Sequence, residues 1–96
     1  GRVGLTEACA LSSLAEAAGA ERITGMFAET QIGSLHSLSF ASATGSRFAA
    51  ETSFFLMFGA SPLHEPLQVR AGSIMLPEAP GIAPLVDWGF VERHML

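Results

Sequence analysis

Apolar residues recur at helical spacing from Thr6 to Ala18, where TEACALSSLAEAA places Ala10, Leu11, Leu14 and Ala18 in register. Glu7 in the first turn and Gly19 just past the end supply start and stop signals, so the segment reads as a helix. Beyond Ala20-Glu21, the run from Arg22 to Ala28 is short and apolar and reads as a buried strand ending at Glu29. Thr30-Gln31-Ile32-Gly33 is a short connection. From Ser34 to Ala43, Leu35, Leu38 and Ala41 keep three-residue steps, which predicts a second helix closed near Gly45. Arg47 to Thr52 is a further short strand carrying Glu51 at its end. Helix, strand, helix, strand is the alternation that builds a parallel sheet with covering helices, hence an α/β fold.

The second half changes character. Ser53 to Pro66 has aromatic and proline punctuation without a clear period. Leu67–Arg70 and Ser73–Leu76, separated by Ala71-Gly72, predict a β-hairpin. Pro77–Gly81 is a turn-rich linker, and Val86–Met95 is read as a terminal helix. There is no internal repeat and no low-complexity tract.

Composition adds one pressure. The chain has 96 residues, of which 49% are hydrophobic and 15% charged. A chain of this length buries roughly 60–65% of the surface its unfolded form exposes, too little to hide so apolar a sequence. A covering partner is therefore expected, and it is protein rather than lipid, because no apolar run reaches the ~18–20 residues that span a bilayer. The basic residues are five scattered arginines and the net charge is −4, which gives no electrostatic footprint for nucleic acid. Cys9 is the single cysteine, so no intrachain disulfide is possible, and a reducing, cytoplasmic setting fits best. Since Gly1 is not methionine and the chain opens on a turn leading into a helix, the N-terminus reads as a partial boundary.

Four landmarks occur in order: GRVGLTEACALSSLAEAAG at 1–19, TGMFAETQIGSL at 24–35, a strand ending at Glu51, and HEPLQVRAGSIMLPEAPGI at 64–82. Together they resemble the C-terminal part of the mandelate racemase/muconate lactonizing enzyme family of the enolase superfamily, over essentially the whole chain. The resemblance implies the closing part of a modified TIM (β/α)7β barrel. Residues 1–52 would be its last two strand and helix units, and 53–96 a C-terminal extension of hairpin and helix packing on barrel and capping domain. It also implies a Mg2+- or Mn2+-dependent isomerase or racemase that removes a proton next to a carboxylate through an enolate. The remainder of the barrel and the capping domain would be its partners, a small carboxylate its substrate, and a homo-oligomer its full-length state. Of the nine acidic residues only Asp87 is an aspartate, and there is no lysine. The metal ligands and lysine bases of such an enzyme are thus expected outside this chain, with the sixth-strand base just before Gly1.

By the same resemblance two residues carry site roles. Glu29 matches the glutamate of the family's Met-Leu-Glu-x-x-Ile-Gly pattern, here Phe27-Ala28-Glu29-Thr30-Gln31-Ile32-Gly33, and is expected to line the substrate pocket. Functional groups collect at the C-terminal ends of barrel strands, which is where Glu29 is predicted. Glu51 matches the eighth-strand acidic position that contacts the substrate carboxylate or acts as an electrophilic acid. The bland reading of Glu29 is a solvated loop carboxylate or a helix N-terminal charge, and that of Glu51 a strand-end surface glutamate. His36, His64 and His94 lack metal-ligand spacing and read as surface or capping residues. Cys9 reads as a small buried hydrophobe, and Phe54, Phe55, Met57 and Phe58 as core. The leading expectation is a muconate cycloisomerase-like enzyme whose chemistry needs more than these 96 residues. The rival is a small non-enzymatic α/β domain that binds another protein through its apolar surface.

Overall fold

A computed structural model of the chain describes residues 3–25 and 28–95. Helix α1 spans Leu5–Ala17 and helix α2 spans Gln31–Ala43. Both end by the same device. In α1 the Gly19 N–H donates to Glu16 O at 3.1 Å and the Ala20 N–H to Ala15 O at 2.8 Å; in α2 the Gly45 N–H donates to Ser42 O at 3.3 Å and the Ser46 N–H to Ala41 O at 3.2 Å. These paired bonds, with Gly19 at φ 72° and Gly45 at φ 66°, are the Schellman closure that uses up the last helical carbonyls. Helix α2 starts earlier than expected, at Gln31 rather than Ser34, with extended Thr30 before it. The glycine that made Thr30–Gly33 read as a connection sits inside the first helical turn.

The segments predicted as strands at 22–28 and 47–52 form no ladder among the described residues; Met26 and Phe27 of the first lie outside them. They do lie side by side. The Ser46 hydroxyl donates to Arg22 O at 2.9 Å, and further along both segments the Glu51 N–H donates to Thr24 O at 2.9 Å. The contacts follow the same order on each segment, so the two run in the same direction, as a strand, helix, strand unit requires. A bend at Arg47-Phe48 interrupts the pairing. Parallel strands are at home inside covered sheets, and a lone pair with little apolar cover makes few of its rungs.

The hairpin forms as expected but shorter: β1 (Val69–Arg70) pairs antiparallel with β2 (Ser73–Ile74). Ala71 and Gly72 turn it at φ 50° and 77°, the positive angles of a type I′ turn. Two short 3-10 turns follow no sequence signal, Phe54–Met57 and Ala83–Leu85. Helix α3 occupies Trp88–Arg93, within the predicted 86–95, and Asp87 caps it by accepting the Phe90 N–H on Oδ1 at 3.1 Å. None of the described helices is long and apolar enough to cross a membrane.

Burial is uneven. Leu35, Phe55, Leu63, Leu67 and Val86 form the core, joined at its edge by Ile32, Leu38, Ile74, Leu76 and Val91. Chain 62–64 runs antiparallel to 85–87, through the Leu63–Val86 bridge, the His64 N–H on Leu85 O at 3.0 Å and the Asp87 N–H on Pro62 O at 2.8 Å. Helix α1 stands apart from this core. Its Leu5, Leu11 and Leu14 are exposed, as are Ile23 and Phe48 beyond it. Cys9, expected to be buried, is exposed on the same helix, because nothing described packs over that surface. Among the aromatic and methionine cluster only Phe55 is fully buried; Met57, the last residue of the 3-10 turn, and Phe58, the extended residue after it, are exposed.

Candidate functional site

The two segments that run together give the molecule two chemically different ends. Where the helices stop, Glu16, Glu21, Arg22 and Arg47 gather with Gly19 and Gly45 around a cavity of about 160 Å³. Arg47 and Glu21 pair loosely there at 4.0 Å, and the Arg22 guanidinium donates to the hydroxyl of buried Ser12 in α1. Cations near helix C-termini are favourably placed, so this end is explained by local structure alone.

Beyond Thr24 the chemistry is acidic. Glu51 is exposed, its N–H held by Thr24 O, and its Oε2 lies 3.9 Å from where a Cβ would stand on Gly25. The end of the first segment and the Glu51 carboxylate are therefore neighbours. Glu29 follows in the turn before α2 and is half-buried. Its Oε1 is buried and accepts no hydrogen bond among the described residues. The rest of its side chain lies along Gly33: Oε2, Cβ and Cδ stand 2.8, 3.0 and 3.2 Å from an added Gly33 Cβ.

The turn that carries Glu29 is tied down from outside. Gln31, the first residue of α2, is buried, and its Oε1 accepts the Leu67 N–H at 2.7 Å. Reading the chain as a sequence missed this residue. A signal was present, because Gln31 stands on the same helical stripe as Leu35 and Leu38, four and seven residues ahead. A polar side chain on an apolar stripe needs a partner, and the C-terminal loop supplies it.

The histidines are peripheral. His36 and His64 have exposed positions, and His94 ends α3, stacked on Phe90 at 4.1 Å between ring centroids with Nδ1 2.8 Å from Phe90 O. Among the described residues no three His, Cys, Asp or Glu side chains gather into a group that could hold a metal ion. The two glutamates do not by themselves form a divalent-cation site.

The family model described as enolase C-terminal domain-like matches residues 1–88. No curated protein and no solved structure matches the chain. A match over that length takes in α1, both parallel segments, α2, the hairpin and the start of α3. The chain belongs to the enolase C-terminal domain-like family, and so to the enolase superfamily.

Proposed function

We propose that this chain supplies the closing strand and helix units of a modified (β/α)7β barrel in a divalent-metal-dependent isomerase or racemase that removes a proton α to a carboxylate, muconate cycloisomerase-like in its chemistry. The observation that carries the reading is the parallel course of 22–25 and 46–51, joined by the Glu51 N–H on Thr24 O and the Ser46 hydroxyl on Arg22 O, in a member of this family, with a glutamate closing the second segment and another following the first. That is the polarity on which barrel enzymes build their sites. The superfamily comprises isomerases, racemases and lyases that generally use Mg2+. Mg2+ or Mn2+ would be held by carboxylates outside this chain.

Within that enzyme Glu51 contacts the substrate carboxylate or serves as an electrophilic acid, and Glu29 lines the substrate side. The exposed apolar surface of Leu5, Leu11, Leu14, Ile23 and Phe48 is covered by the remainder of the barrel and the capping domain. Glu51→Gln in the full-length enzyme tests the assignment directly. A sharp fall in turnover without loss of folding is expected, and unchanged turnover removes Glu51 from the site. Tight stoichiometric Mg2+ binding by residues 1–96 alone would contradict the reading.

A further inference from the structure

We infer that Gly33 is a positioning residue for the Glu29 carboxylate. Gly33 is the third residue of α2 and its backbone is not among the positive-φ glycines, so the helical conformation there does not call for glycine. Glycine inside a helix is unfavourable relative to alanine, and its presence needs another cause. The side chain of Glu29 is that cause. A methyl group on Gly33 would stand 2.8 Å from Glu29 Oε2, 3.0 Å from its Cβ and 3.2 Å from its Cδ, distances that a real Cβ does not tolerate without a shift.

Among the described residues the three nearest atoms all belong to Glu29: Oε2 and Cδ can swing away, whereas Cβ moves only with the backbone of the turn, so an added methyl displaces Glu29 as a whole. With glycine in place, Glu29 folds down onto the first turn of α2, whose free N–H groups and dipole favour a negative charge. Gln31 holds the same turn to Leu67 from the other side. The carboxylate is therefore seated with Oε1 buried and accepting no hydrogen bond among the described residues. Gly33 acts through Glu29, and its bearing on catalysis rests on the reading of Glu29 as a substrate-side residue.

The test uses the full-length protein with ¹³C-labelled glutamate, Glu29→Gln serving to assign the Glu29 carboxyl resonance. In Gly33→Ala the Glu29 carboxyl resonance is expected to move, while the resonances of Glu7 and Glu92 stay in place. A Glu29 resonance identical to that of the unsubstituted protein would overturn the inference. Should Gly33→Ala fail to fold, the pair Gly33→Ala with Glu29→Gly decides, since alanine at 29 would keep the Cβ 3.0 Å away: recovery of folding shows that Glu29 was the obstacle, and continued failure refutes it. Turnover of Glu29→Gln, measured separately, judges the substrate-side reading and leaves the carboxyl comparison intact.

Discussion

The amide of Glu51 donates to the carbonyl of Thr24 at 2.9 Å, and this one bond sets a candidate acid beside the end of the neighbouring segment. Because the donor is main chain, replacing the side chain leaves the pairing in place. Glu51→Gln is therefore expected to keep the melting behaviour, with a stability change within about 0.5 kcal/mol. Turnover of the full-length enzyme should fall about 10²-fold or more if Glu51 moves a proton. Parallel thermal and steady-state measurements separate the two effects.

Gln31 makes a second prediction. Gln31→Ala leaves the buried Leu67 N–H without its acceptor, which costs about 1–3 kcal/mol. Chemical denaturation of the full-length protein measures it. Limited proteolysis near Leu67 should quicken in parallel, because the loop loses its tie to α2.

Two glycine substitutions test different requirements. Gly45 lies at φ 66°, where an L side chain is strained, so Gly45→Ala is expected to destabilise by about 1–2 kcal/mol. Gly33 has an ordinary helical backbone but no room for a Cβ beside Glu29, so Gly33→Ala is expected to fall short of the about 0.5–1 kcal/mol that the change gains in an unobstructed helix. Denaturation midpoints with an unchanged slope would verify both.

Burial predicts a further contrast. Leu35→Ala, at a residue 1% exposed, should cost about 2–5 kcal/mol wherever it is measured. Leu14 is 66% exposed, so Leu14→Ala in residues 1–96 alone should change stability by no more than about 0.5 kcal/mol. In the full-length enzyme, where the proposed cover buries Leu14, the same change should cost at least about 2 kcal/mol. Equal small effects in both would argue against the cover.

What the sequence disclosed was what neighbouring residues decide among themselves. Glu7 and Gly19 marked α1, Ala71-Gly72 marked the hairpin, and the ordered landmarks marked the family. The strands at 22–28 and 47–52 were legible as neighbours running in one direction but not as a single hydrogen-bonded rung, because a ladder depends on what flanks it. Cys9, Met57 and Phe58 were misplaced for a related reason: apolar character signals a wish to be buried, and only packing decides whether it is met. Gly33 concealed the start of α2 because its use is tertiary, set by Glu29 rather than by the turn chemistry that glycine usually signals. The tie from Gln31 to Leu67 joins residues 36 positions apart, beyond the reach of local pattern.

The hairpin turn places Ala71 at φ 50°, a position where asparagine or glycine is at ease and alanine is not. Its geometry is thus imposed from the flanks, where Leu67 and Leu76 anchor the two arms to the core. A tip dictated by its anchors is choosy about content, and only residues that accept a positive φ sit there without strain. Residue 71 is accordingly the place in this molecule to relieve the backbone by redesign, as Ala71→Asn or Ala71→Gly, with Gly72, the acidic end and the core left as they are.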